Sequence, residues 1–130
     1  MFLNVFKQEE KKKFLELVYK ISNCDVDYAE DEQELVSNYK TELGIEEIPE
    51  TASIEALIQY FSEKPEQIQK IVWFELYGVI MADDIVADEE MKIIDLIKNK
   101  FCISEEVIQT IQEVALELQK VYDKVYDCLF

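Results

Sequence analysis

Near the middle of the chain, VWFELYGVIMA runs from Val72 to Ala82 with hardly a polar interruption. A helix that is apolar almost all round has to lie inside other elements. The rest of the chain must therefore supply amphipathic pieces that cover it. Apolar spacing elsewhere is helical, and no sustained period-two segment with turn residues around it is present. Only two glycines, Gly44 and Gly78, and two prolines punctuate the sequence. The expected fold class is all-α: a single-domain helical bundle over residues 1–130, whose 49% hydrophobic content suffices for a core at this size.

Boundary signals predict six helices. The first runs from Gln8 to Asn23 with Phe14, Leu17, Val18 and Ile21 on one face. The second runs from Ala29 to Leu43 with Leu35, Val36 and Tyr39 inward, and Gly44 takes the left-handed cap. A connector from Ile45 to Thr51 leads to a short helix capped by Ser53 and ending at Phe61. Pro65 opens the apolar helix, which continues to Ala82. Gly78 is expected to allow a close approach within it. A helix from Ala87 to Lys100 presents Met91, Ile94, Leu96 and Ile97. Ser104 caps a long final helix whose Val107, Ile111, Val114, Leu118, Val121 and Val125 alternate steps of four and three. That stripe suits packing on its own domain, and also a coiled-coil seam between two copies, so a homo-oligomer stays open.

The chain also repeats itself at an offset of 58 residues. Residues 15–47 laid over 73–105 match Tyr19 with Tyr77, Asp25 with Asp83, Ala29 with Ala87 and Glu32 with Glu90. Leu35, Val36 and Tyr39 then meet Ile93, Ile94 and Ile97. Two related helix-loop-helix hairpins followed by one long helix result, with DVDYAEDE and DDIVADEE as the two loops.

Charge and composition exclude several functions. Asp and Glu number 29 against 13 basic residues, a net charge of −16, and every basic residue is lysine. Nucleic-acid binding needs clustered positive charge, so no nucleic-acid partner is expected. Lys11, Lys12 and Lys13 read as a solvated helix end. With no histidine, histidine-zinc catalysis and Ser/His or Cys/His nucleophile pairs are excluded. Two glycines cannot build a P-loop or a dinucleotide fingerprint. Cys24, Cys102 and Cys128 match neither a zinc knuckle nor a redox pair and read as buried reduced thiols. Residues 1–20 alternate apolar with charged positions and form neither a signal core nor a transmembrane segment. A cytoplasmic protein is expected.

The paired acidic loops are the informative feature. In each, an aspartate leaves one helix and a glutamate stands seven residues later in the first turn of the next: Asp25 and Glu32, then Asp83 and Glu90. Hairpins packed about a pseudo-twofold would bring the four carboxylates together, and mutual repulsion would then call for a cation. Oxygen-only ligands suit calcium, magnesium or manganese. An EF-hand fails, because a loop starting at Asp25 puts Glu30 where glycine is needed and Val36 where the bidentate glutamate belongs. One starting at Asp83 puts Asp88 and Ile94 there. The simpler account is helix capping, which stabilises by roughly 0.3–1 kcal/mol per acid and needs no partner. Glu30, Asp31, Asp88 and Glu89 belong to capping and solvation on either account.

Such a twice-used acidic corner in a small all-helical domain resembles the tellurite-resistance TerB-like family. FKQEEKKKFLELVYKISNCDVDYAEDEQELVSNYKTELGI resembles its first half and KIVWFELYGVIMADDIVADEEMKIIDLIKNKFCIS its second, covering Phe6 to Ser104. The resemblance implies a non-enzymatic, divalent-cation-binding module with a stress-response role, acting in complexes at the inner face of a membrane. It implies Asp25, Glu32, Asp83 and Glu90 as metal ligands, with no organic cofactor. Val26 and Asp84 stand where the family has glycine, which reshapes the turn. Asp84 either adds an oxygen ligand or spoils the site.

Two other readings compete. An acidic protein-interaction module, of inhibitor or immunity type, would bind a basic partner by charge complementarity. A carboxylate-based enzyme is weaker, because loops this short offer little cleft. Most aromatics read as core, while Tyr122 and Tyr126 stand where they would edge a groove for a partner helix.

Overall fold

The structure is a computed structural model. It describes residues 2–22, 30–48, 51–80 and 88–130, with backbone alone for 30–35. Six helices follow one another: α1 (Gln8–Ser22), α2 (Glu30–Leu43), α3 (Ile54–Ser62), α4 (Glu66–Ile80), α5 (Asp88–Lys100) and α6 (Glu105–Leu129). A 3-10 turn, Leu3–Val5, precedes α1. No strand occurs among the described residues, and the fold class is all-α.

The sequence signals set the helix ends as expected. Ser53 Oγ accepts a hydrogen bond from the Ala56 N–H at 3.2 Å, and Ser104 Oγ accepts one from the Val107 N–H at 3.3 Å. At the start of α1 the Lys7 N–H donates to Glu10 Oε1 at 2.7 Å, one half of a capping box. Gly44, at φ +69°, ends α2. Its N–H donates to the Thr41 carbonyl and the Ile45 N–H to the Lys40 carbonyl, which is the Schellman pairing that needs a left-handed residue.

α1 and α4 together form the centre. α4 packs against α1, α3 and α6, and buries Ile68, Val72, Trp73, Leu76, Val79 and Ile80. α1 packs against α2, α3 and α4. Its successive residues Phe14, Leu15, Glu16, Leu17 and Val18 are all buried, so it is enclosed all round where the spacing predicted a single inward face. Leu3 and Phe6 seal one end, with the Phe6 ring 5.5 Å from Phe14 and 6.1 Å from Phe61. Burial follows the 58-residue offset: Leu15 and Trp73, Val18 and Leu76, Val36 and Ile94, Tyr39 and Ile97, and Leu43 and Phe101 are buried at both members.

Other expectations change. Met91 is exposed, and α5 buries Ile93, Ile94 and Ile97 instead. Cys102 and Cys128 are exposed thiols rather than core ones, while Cys24 lies outside the described residues. A Cβ built on Gly78 meets nothing within 4 Å, so no close packing requires glycine there.

Two buried side chains tie the helices to their connectors. Gln69 donates to the carbonyls of Ser62 and Lys64 and accepts the Cys102 N–H, fastening the α3 C-terminus to the α5–α6 corner. Glu16, fully buried, accepts from the Thr51 N–H at 2.7 Å, the Thr51 hydroxyl at 2.9 Å and the Ala52 N–H at 2.8 Å. Lys20 Nζ lies 3.6 Å away and also donates to the Ala52 carbonyl. Burial pushes the Glu16 carboxyl up, but the hydrogen bonds from Ala52 and Thr51, together with the Lys20 charge, hold it below its ordinary value.

A depressed carboxyl stabilises the fold above its unfolded pKa, and that contribution is lost as pH falls through the lower folded value. Glu16→Gln should therefore cost about 1–3 kcal/mol at neutral pH. The gap to wild type should close as pH drops below the ordinary carboxyl value of ~4.3. Denaturant unfolding of both proteins across that range checks it.

Candidate interaction groove

α6 is 25 residues long and lies along an α4 of 15. Trp73 pins the near end, its indole N–H donating to the Ile108 carbonyl at 3.3 Å. From there α6 packs through one edge of its apolar arc: Ile108 is buried, and Ile111, Ala115 and Leu118 are partly covered. The other edge stays open, with Val114 at 50%, Val121 at 54% and Val125 at 47% exposure. Beyond Leu118 every residue is exposed, including Tyr122, Tyr126, Leu129 and Phe130. The expectation that the stripe packs on its own domain therefore holds for its first half only.

Between this open half and the body lies a groove of about 490 Å³. α2 contributes Tyr39 and Glu42, α4 contributes Phe74, Glu75 and Gly78, and α6 contributes Leu118 and Tyr122. Spacing explains the set. Phe74 and Gly78 lie one turn apart on α4, and Leu118 and Tyr122 one turn apart on α6. Gly78, without a side chain, leaves the floor open. Phe2 extends the apolar wall, its ring 5.9 Å from Phe74 in an edge contact.

The base of the groove is polar. Glu75 is 7% exposed, and the Tyr39 hydroxyl donates to its Oε2 at 2.8 Å. The Phe2 N–H reaches Oε1 at 3.5 Å. Burial first, then the Glu75 charge and hydrogen bond, and then the Glu42 charge drive the Tyr39 phenol well above its ordinary range. Tyr39 is thus locked as a neutral donor at any physiological pH. Glu42, by contrast, sits exposed on the rim.

The four loop carboxylates are placed unequally. Asp25 and Asp83 lie outside the described residues, and Glu32 falls in the first turn of α2 where backbone alone is described. Glu90 is the third residue of α5 and is 7% exposed, while its neighbours Asp88 and Glu89 point to solvent. Among the described residues no group of three or more Cys, Asp or Glu side chains could hold a metal ion.

Sequence reasoning singled out Tyr122 but not the Tyr39–Glu75 pair beside it. The signal was present: Glu75 is the lone carboxylate inside VWFELYGVIMA, and a charge in a helix that must be buried needs a donor. No family model matches the chain, and neither the curated proteins nor the solved structures give a match.

A raised phenol pKa means that its contribution is complete below the ordinary ~10 and is lost at more alkaline pH. Tyr39 should ionise in an ultraviolet titration only as the protein unfolds. Tyr39→Phe should abolish that late step and cost about 1–3 kcal/mol, because the buried Glu75 loses the hydroxyl donor at 2.8 Å. An early, reversible ionisation of all seven tyrosines would contradict the geometry.

Proposed function

We propose that the chain is a non-enzymatic protein-interaction module that receives its partner on the open half of α6 and in the groove beneath it. The observation that supports this reading is the exposure of Val114, Val121, Tyr122, Val125, Tyr126 and Leu129 along one side of a single helix. Contiguous apolar patches beyond a few hundred Å² are uncommon on monomers and mark interaction sites. Tyr122 at 56% and Tyr126 at 65% exposure add the largest side chains to this one. A membrane is a poorer account. Among the described residues no helix is long and apolar enough to cross one. The polar side of α6, with Glu113, Glu117, Asp123 and Asp127 against Lys120 and Lys124, is wrong for anionic lipid.

Val121→Asp combined with Val125→Asp should leave stability within about 0.5 kcal/mol of wild type, since neither side chain is buried. The same pair should abolish capture of partners by the immobilised chain, and wild-type capture should weaken as salt rises. Capture of the same partners by both proteins would defeat this reading.

A second reading, the TerB-like one, takes the acidic corners as a site for a divalent cation serving stress-linked assembly. Its support is the resemblance, which places Glu90 among the ligands, together with the position of that side chain, buried in the first turn of α5. Chelator-stripped protein should then gain about 2.7 kcal/mol from calcium, magnesium or manganese at 100 times its dissociation constant. The gain should vanish in the Glu32→Gln, Glu90→Gln variant. Thermal unfolding at constant ionic strength measures it, and equal midpoints with and without every ion would return these carboxylates to capping.

A further inference from the structure

The groove has unlike walls, and the contrast identifies what fits between them. Phe74 of α4 and Leu118 and Tyr122 of α6 line it with apolar surface, while α2 contributes the exposed Glu42 and Glu75 lies buried at the base. No lysine lines it among the described residues. We propose that its occupant is a basic amphipathic α-helix of a partner protein, seated along α6 with a lysine or arginine over Glu42. The proposal rests on the interaction-module reading and names the partner's chemistry.

Three features lead to that occupant. On the far half of α6, Leu118, Tyr122, Val125 and Leu129 follow steps of four, three and four, the spacing that meshes with another helix at a shallow crossing angle. A chain of net charge −16 steers cationic partners toward itself, and Glu42 gives that long-range attraction a local target. A lysine or arginine can lay its methylene stem on Phe74 or Tyr122 while its charge reaches the rim. A second copy of this chain fits less well. Its α6 carries Glu113, Glu117, Asp123 and Asp127 against Lys120 and Lys124 alone, and two copies of net charge −16 repel each other.

The test uses the full chain and three synthetic peptides of equal length. One is an amphipathic leucine-lysine helix with leucines at alternating steps of four and three, the second has the same residues scrambled, and the third replaces each lysine with glutamate. Fluorescence anisotropy at constant ionic strength should show the first binding at least about tenfold more tightly than either of the others. Glu42→Lys, at an exposed position that leaves the fold intact, should weaken the first peptide by about tenfold or more. Tyr122→Asp should do likewise. Equal binding of the ordered and scrambled lysine peptides would mean bulk charge attraction only and overturn the proposal, as would indifference to Glu42→Lys. Sedimentation of the chain alone supplies another arm, because self-association abolished by Tyr122→Asp would make the occupant a second copy. If peptide binding fails while the Val121→Asp, Val125→Asp pair still abolishes partner capture, the basic helix is wrong and the interaction reading stands. If that pair also leaves capture unchanged, the interaction reading falls with it.

Discussion

Everything in this fold follows from the need to cover α4. Nine of its fifteen residues are buried, so neighbours have to close around most of its circumference. α1 and α3 take one part of that duty and α6 takes another. α6 is ten residues longer than the helix it lies on, an overhang of about 15 Å at 1.5 Å per residue. The apolar pattern of α6 does not stop where α4 does. A stripe that meets core beside Trp73 meets only solvent beyond Leu118, and the groove is the seam between those two regimes.

Polar groups inside this core are used as fasteners rather than tolerated. Glu16 gathers three donors from the α2–α3 connector, and Gln69 holds two helix ends to a third corner. Glu10 closes the α1 cap while lying 3.4 Å from Lys64, which itself sits over the Tyr60 ring. Each such group costs free energy if its partners are absent, so each penalises a displaced connector more sharply than apolar contact would. Tyr39 and Glu75 belong to the same set but differ in place. Their hydrogen bond fixes α2 to α4 at the floor of the groove, which inherits the rigidity of the core on that side.

The helices were legible because their punctuation is local. Ser53, Ser104 and Gly44 act within one turn of themselves, and the structure uses all three as caps. Periodicity also fixed most of the core, but it fails wherever burial depends on what a neighbour covers. Met91 has the right spacing and no element above it, whereas Glu16 has the wrong chemistry and is enclosed because α2, α3 and α4 all meet around α1. The same limit hid the groove. Tyr39 and Glu75 are 36 residues apart, and nothing along the chain announces that a phenol and a carboxylate will face each other. The acidic corners were legible as a pattern, yet Asp25 and Asp83 fall outside the described residues, and of the four side chains only that of Glu90 has a described environment.

In the proposed interaction, charge and apolarity would act as two separate filters. An apolar stripe alone would accept many helices, and a net charge of −16 alone would attract many cations. Combined at the proposed groove they would discriminate: an acidic amphipathic helix would match the stripe but be repelled, and a basic disordered segment would be attracted but have no apolar face to bury. Specificity of this kind is a difference of affinities, and the repulsive element contributes as much to it as the attractive one. The absence of arginine and the surplus of carboxylates, from which no nucleic-acid partner is expected, bear on this as well. If the groove takes a partner as proposed, the same surplus disfavours a second copy of this chain and favours a partner of opposite charge.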